Sequence, residues 1–141
     1  MSRDGAEITV VIGSAYGETS PVQTASETLY VEGKLDSGAE LELPVAEELA
    51  VYVIDGSIRI AGNTVSAGKL AVLANGSAAT VSAEGASHVM ICGGATLAGE
   101  RTIWWNFVSS SRERLEKAKR DWREGKFAEV PGETDFIPLP E

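Results

Sequence analysis

Short runs of alternating apolar and polar residues fill the chain from residue 7 to residue 92, with turn residues between them. Runs of this length at this spacing are typical of an antiparallel β-sandwich or barrel. The alternation predicts strands at 7–12, 27–35, 39–43, 49–54, 57–60, 69–73, 79–83 and 87–92. Asp55 and Gly56 lie between the fourth and fifth of these runs, and they predict a tight hairpin that pairs those two strands.

An aromatic run at 103–108 follows the predicted strands, and a helix is predicted over 111–124. Leu115, Ala118 and Trp122 recur on one face at helical spacing. Ser110 and Glu113 form a predicted capping box at the helix start, and the glycine at its end is positioned to stop it. The tail, 126–141, contains three prolines and is predicted to run extended over the surface. We therefore expect one all-β domain over 1–141, an antiparallel barrel or sandwich at about 7–108 with one C-terminal α-helix.

The chain has a single histidine, His88, and a single cysteine, Cys92. Metal sites and nucleophilic sites usually recruit several imidazoles or thiolates, so this composition argues against most enzymatic interpretations. Cys92 lies in an apolar strand without a basic neighbour in sequence, and we expect an inert core residue there. We expect His88 to be hydrogen-bonded or exposed, with a general-base role as the alternative.

The net charge of −9 is unevenly distributed along the chain. Residues 112–126 carry seven basic and four acidic side chains, whereas the segments on either side are acidic. Because an acidic body repels a polyanion, and only Trp122 lies among the bases as an aromatic stacking partner, we do not expect nucleic-acid binding. No apolar run is long enough to cross a bilayer, so we expect no membrane insertion. The single cysteine and the polar first residues favour a cytoplasmic protein.

Four segments carry a family resemblance: the stretch Glu100–Ser111 with its Trp-Trp-Asn-Phe-Val-Ser-Ser-Ser run, the helix end Asp121–Gly125, the tail motif Phe136–Pro140, and the stretch 20–30 near the start. Taken in chain order, they resemble the C-terminal half of the pirin family. Pirins look like two cupin barrels in tandem within one longer chain. The resemblance implies a cupin fold, the double-stranded β-helix, that corresponds to the second barrel only.

In pirins the metal, usually iron, is held by histidines and a glutamate of the first barrel. The resemblance therefore implies no metal cofactor in this chain and iron only in the N-terminal half of the family. The general cupin pattern, counted from two turn glycines, places the metal-ligand positions of this barrel near Pro44, Ala46, Leu49 and Ala71. None of these side chains binds a metal. Asn75 matches the closing asparagine of the second cupin motif, and Leu49, Val51 and Val53 are expected to face an apolar interior.

The resemblance supports two hypotheses about function. In the first, the chain is a metal-free, non-catalytic module that docks on a separately encoded pirin N-terminal half, forms a homodimer, or holds a small apolar ligand. In the second, it is part of a metal-dependent cupin dioxygenase, similar to a quercetinase, that acts with a separate metal-binding half. The sequence fits a natural short protein or a fragment of a longer pirin.

Candidate ligand or interface residues are Arg101, Trp104, Trp105, Asn106 and His88. An exposed aromatic patch around the two tryptophans would favour docking. The alternative is that the tryptophans seat the C-terminal helix on the barrel. The alternative for Arg101 is a structural ion pair or a contact with an aromatic ring.

Overall fold

The computed structural model describes residues 2–140, which divide into two compact units, one ending at Thr96 and the other beginning at Leu97. The strands of the first unit are β1 Ser2–Arg3, β2 Ala6–Ile12, β3 Ser14–Ala15, β4 Glu18–Thr19, β5 Thr28–Leu35, β6 Glu40–Glu42, β7 Glu48–Asp55, β8 Ser57–Ile60, β9 Asn63–Ser66, β10 Leu70–Val72, β11 Thr80–Ala83 and β12 Ser87–Gly94. The second unit contains β13 Thr102–Trp104, β14 Phe107–Ser109 and the helix α1 Arg112–Arg123.

Two large antiparallel sheets and a small two-stranded one, β3–β4, build the first unit. One large sheet has six strands in the order β1-β2-β5-β12-β7-β10, and the other large sheet has four in the order β6-β11-β8-β9. Alternate side chains of both sheets meet in one apolar core, whose fully buried members include Ile8, Val31, Val51, Val53, Ile58, Val81, Val89 and Ile91. This confirms the all-β prediction in the form of a sandwich, because both sheets end in open edge strands and do not close into a barrel.

The predicted alternation of inward and outward side chains is confirmed in the central strands. Leu49, Val51 and Val53 of β7 are buried, as expected for an apolar interior. In β6 and the residue after it, Leu41 and Leu43 are buried, whereas both glutamates of that strand are exposed to solvent. The two-residue period of a strand therefore identifies the core correctly here.

The predicted hairpin at Asp55 and Gly56 is wrong. β7 pairs with β12 and β10 in the six-stranded sheet, whereas β8 pairs with β11 and β9 in the other. Gly56, at φ 78°, is instead a corner where the chain passes between the sheets. A Cβ at this position would lie 2.5 Å from both the carbonyl oxygen of Ala86 and Oγ of Ser87, so the corner excludes a side chain.

A carboxylate ties the β8–β9 hairpin to the loop after β11. Glu84 accepts hydrogen bonds from the Arg59 guanidinium at 3.0 Å and from the hydroxyl groups of Ser57 and Thr64, each at 3.2 Å. These bonds lower the pKa of the Glu84 carboxyl, with the bond from Arg59 contributing most. All three bonds favour the ionised form of the carboxylate.

The helix of the second unit lies close to its predicted bounds, but its cap is shifted by one residue. Ser111, and not Ser110, is the N-cap, and its Oγ accepts from the backbone N–H of Arg114 at 3.3 Å. The backbone N–H of Ser111 itself donates a hydrogen bond to Oγ of Ser109, at 3.1 Å. Gly125, at φ 63°, ends the helix as predicted. Within residues 2–140, no helix has the length and apolarity that a membrane span needs.

Candidate functional site

The interior of the sandwich offers no metal-binding side chains at the expected positions. Leu49 is buried, and Ala46 and Ala71 pack against the apolar core. These residues and Pro44 lack donor atoms in their side chains, so they do not fit the iron of the pirin family. In the part of the chain that the structure describes, no three His, Cys, Asp or Glu side chains are grouped so that they could hold a metal ion.

The outer surface of the six-stranded sheet carries a continuous apolar area, which we call the sheet face. In β7, Ala50, Tyr52 and Ile54 alternate with the buried core residues, so they point outward. The register places Leu70 and Met90 beside Tyr52, and Val72 and Cys92 beside Ala50. The sheet face consists of Tyr30, Ala50, Tyr52, Ile54, Leu70, Val72, Met90 and Cys92.

Leu70 and Val72 are the most exposed members of the sheet face, at 53% and 74%. They lie on β10, which is an edge strand of the sheet. Single exposed apolar residues are ordinary, but a contiguous apolar area on a sheet marks an interaction surface. The sheet face is therefore the candidate interaction surface of the first unit.

Cys92 belongs to this sheet face, so its prediction as a core residue is wrong. The strand β12 alternates, with Ile91 fully buried and Cys92 half-buried on the outer side. It lies opposite Tyr30 and Ala50 in the two neighbouring strands. The thiol is free.

His88 lies on the same outer surface, at the polar end of the sheet. Its Nε2 lies 2.9 Å from Oε1 of Glu32, and Nζ of Lys34 lies 3.9 Å from that oxygen. His88 and Lys34 also line a polar surface cavity of about 490 Å³ together with Asp36 and Asp55. The histidine is thus hydrogen-bonded, one of the two environments expected from the sequence.

The two neighbouring tryptophans of the second unit pack against its helix. The rings of Trp105 and Trp122 meet edge to face with centroids 5.2 Å apart, and Phe107 contacts both. The Trp104 ring stacks on Phe107, and Nζ of Lys119 lies 4.3 Å from the centre of that ring. The aromatic run therefore holds α1 against the β13–β14 hairpin.

Trp105 has an unusual backbone for a large side chain. It is the first of the two residues that turn β13 into β14, and its φ is 50°. Glycine is the usual residue where such a turn needs a positive φ, and a bulky side chain there costs about 1 to 3 kcal/mol. Trp105 and the next turn residue, Asn106, line a cavity of about 540 Å³ with Trp122 and the tail.

Two of the six cations of α1, both of them lysines, form ion pairs. Lys117 pairs with Asp121, and Lys119 pairs with Glu116 at 2.6 Å. The hydrogen bonds from these lysines lower the pKa of both carboxyls. The basic segment read from the sequence is therefore a helix surface of mixed and partly neutralised charge.

Arg101 stabilises the loop that precedes β13 by hydrogen bonds to its backbone. Its Nη1 donates to the carbonyl oxygens of Ala98 at 2.7 Å and Gly99 at 3.2 Å. The guanidinium thus satisfies backbone acceptors just before β13. Of the five candidate residues, the structure places Trp105 and Asn106 at one cavity and His88 at another, whereas Trp104 stacks on Phe107.

The family model described as the pirin C-terminal cupin domain matches residues 30–128. The chain belongs to the pirin family. It is 37% identical over 140 residues to a pirin-like protein of Caulobacter vibrioides, covering 97% of this chain and 48% of that protein. Human pirin is 30% identical over 133 residues, which cover 89% of this chain and 46% of that protein. The chain spans about half the length of these curated relatives.

A solved structure agrees with the pirin fold along the whole chain. The crystal structure of quercetin 2,3-dioxygenase from Acinetobacter baumannii superposes with a TM-score of 0.88 at 24% identity. The match covers 100% of this chain and 49% of that one. At this identity the likeness shows the fold, and it confirms the expected cupin architecture.

The sheet face is the feature that sequence reasoning missed. Its signal lies in Leu49–Ile54, where both sets of alternating positions are apolar. A strand with two apolar faces is typical of burial on both sides. One side of β7 faces the core, and the other carries exposed Tyr52 and Ile54.

Proposed function

We propose that this pirin C-terminal cupin domain is a non-catalytic binding and assembly module that docks through its sheet face on the metal-binding cupin half of a pirin. The observation that carries the proposal is the contiguous apolar surface on the outside of the six-stranded sheet, with Leu70 and Val72 more than half exposed. The proposal applies whether the metal-binding half lies on the same polypeptide or on another one.

The chemistry of the interior supports a non-catalytic role. The positions that hold metal ligands in cupins are occupied here by Pro44, Ala46, Leu49 and Ala71, and the side chains that the strands around them bury are apolar apart from Ser87. Without nitrogen or oxygen donors at these positions, a metal has nothing to replace its water shell. We therefore assign the domain a supporting role.

The choice of partner rests on length and on shape. The curated relatives are about twice as long as the segment that matches this chain. Because pirins resemble two cupins in tandem, we infer that the other half of these relatives is a cupin as well. A second sheet packs on an open sheet with its strands aligned and its apolar side chains interdigitated. The sheet face offers such a surface, whereas the four-stranded sheet presents exposed glutamates beside its core residues.

Cys92 provides a direct test, because it is the only cysteine and lies on the sheet face. The rate of alkylation of Cys92 is measured for the chain alone and for the chain co-expressed with a pirin metal-binding half. Docking predicts a slower reaction in the second sample. Cytoplasmic conditions, which we also propose for the protein, keep such a thiol reduced.

A matched control moves the thiol off the sheet face. In Cys92→Ser/Val45→Cys the new thiol replaces an exposed side chain in the loop before β7, so its alkylation rate is expected to be the same with and without the partner. An unprotected Cys92 in the presence of the partner contradicts the docking proposal. If the alkylation of Cys92 slows as the concentration of the chain rises in the absence of a partner, the sheet face is assigned to a homodimer instead.

A second function is supported by the relatives. A Pseudomonas aeruginosa protein provisionally named quercetin 2,3-dioxygenase is 25% identical over 124 residues, 86% of this chain and 39% of that protein. In this alternative the chain completes a quercetinase whose iron lies in the separate half. Flavonol-dependent oxygen uptake is measured for the chain, for the metal-binding half and for both together. Oxygen uptake that requires both chains supports the alternative. Oxygen uptake by this chain alone contradicts the non-catalytic role.

A further inference from the structure

The second unit contains a cavity that the proposed docking does not use. It has a volume of about 540 Å³ and lies between the turn of the β13–β14 hairpin, the end of α1 and the tail. Trp105, Trp122 and Phe127 supply aromatic walls, and Phe136 stacks on the Trp122 ring with centroids 5.8 Å apart. A volume of this size suits a small organic molecule.

The tail is fixed against the helix at this cavity. The indole N–H of Trp122 donates to the carbonyl oxygen of Ile137 at 2.9 Å. Glu133 folds the loop of the tail, because its Oε1 accepts from the backbone N–H groups of Thr134 and Asp135, both at 2.9 Å. The cavity is thus bounded by side chains and backbone that are tied together.

The charged groups that line the cavity are all acidic. Glu129, Glu133 and Asp135 contribute carboxylates, and no lysine or arginine is among the lining residues. The side chains of Glu129 and Asp135 have no ion-pair partner within residues 2–140. Lys126, which is close in the chain, pairs with Glu124. The field in the cavity therefore favours a cation.

We propose that this cavity binds a small organic cation, a molecule with an apolar or aromatic body and one ammonium group. Aromatic rings attract such a cation through their electron-rich faces, and carboxylates at the rim add charge attraction. The apolar body occupies the space beside Trp105 and Phe127, and the ammonium group lies toward Glu129 and Asp135.

All three tryptophans of the chain lie in the second unit, at 104, 105 and 122, so tryptophan fluorescence reports on it alone. The chain is titrated with benzyltrimethylammonium, and benzyl alcohol and benzoate serve as neutral and anionic probes of the same ring. We expect a saturable fluorescence change with the cation at millimolar concentration. We expect the affinity for each of the other two probes to be at least about fivefold lower than the affinity for the cation. We also expect the affinity for the cation to fall at high salt.

Variants separate charge recognition from the fold. Glu129→Gln and Asp135→Asn alter exposed side chains and are each expected to weaken cation binding about two- to fivefold, as for exposed charge pairs. Glu100→Gln, an exposed glutamate of the same unit that does not line the cavity, is the matched control and is expected to leave the affinity unchanged.

Three results overturn the proposal: no saturable response to the cation, equal affinity for the cationic and neutral probes, or equal loss in Glu129→Gln and Glu100→Gln. Each of them leaves the docking proposal intact, because docking is tested through Cys92 in the first unit.

Discussion

Replacement of Leu70 and Val72 by serine is expected to weaken docking on the metal-binding half without unfolding the domain. Both residues lie on the edge strand β10 and point away from the core, whereas the residue between them, Ala71, packs inward. Surface substitutions away from special features usually change the free energy of unfolding by no more than about 0.5 kcal/mol. The variant Leu70→Ser/Val72→Ser therefore tests the interface and not the fold.

The size of the effect follows from the exposed fractions. Full burial of a leucine or valine side chain contributes about 1.5 to 3 kcal/mol. Leu70 is 53% exposed and Val72 is 74% exposed. Burial on docking therefore contributes about half of the full-burial free energy at Leu70 and about three-quarters of it at Val72. Together they contribute about 2 to 4 kcal/mol, which corresponds to a Kd raised by about 30-fold to several hundredfold.

Isothermal titration of a pirin metal-binding half with each variant measures this change. Val45→Ser is the control, because Val45 is 71% exposed but lies in the loop before β7 and outside the sheet face. It is expected to bind like the unmodified chain. An increase in Kd of less than about threefold for the double variant, or an equal increase for the control, refutes the assignment of the sheet face as the interface.

Three other outcomes follow from local geometry. Ser111→Ala is expected to lower the free energy of unfolding by about 1 kcal/mol, and Ser110→Ala to leave it nearly unchanged, in urea denaturation followed by circular dichroism; equal losses would contradict the assigned N-cap. Gly93→Ala brings a Cβ to 2.3 Å from a carbonyl oxygen of β7, so it is expected to lower the free energy of unfolding by about 1 to 3 kcal/mol. Gly85→Ala places its Cβ in open space and is expected to change the free energy of unfolding very little. Similar thermal midpoints for the two variants would refute this difference. Glu84→Gln is expected to lower the thermal midpoint at neutral pH, because a carboxyl whose pKa is lowered in the folded state stabilises that state at pH values above the ordinary pKa of a glutamate. That difference should vanish as the pH falls through the lowered pKa, and a gap that persists in acid would contradict the ionic origin.

The sandwich core could be predicted from the sequence because it depends on local alternation. Strands such as β5 and β7 bury every second side chain, and the run of apolar residues at those positions reveals which side faces inward. The family resemblance added the cupin arrangement and the expectation of an interior without metal ligands, neither of which alternation alone contains.

Features that depend on distant residues could not be predicted in this way. The corner at Gly56 is set by its contacts with Ala86 and Ser87, thirty residues further along the chain, and the same Asp-Gly pair is compatible with a hairpin. Ser110 and Ser111 are both competent caps, and the choice is fixed by the end of β14, where Oγ of Ser109 accepts from Ser111.

The candidate sites show the same limit. The apolar run of β7 shows that both sides of this strand are apolar, but it does not show which strand lies beside it. The pairing of β10 with β7 places Leu70 and Val72 beside Tyr52 and Ala50 and so completes the sheet face. The aromatic residues of the second unit were recognised as a candidate surface from the sequence. The acidic lining of their cavity was missed, because it comes from the tail, which has no periodic pattern.

The most direct test of the central claim is sedimentation velocity of this chain co-expressed with a pirin metal-binding half. Docking predicts one species with the mass of a one-to-one complex, in place of the 14.8 kDa chain and a free partner. Two species that sediment independently would contradict docking.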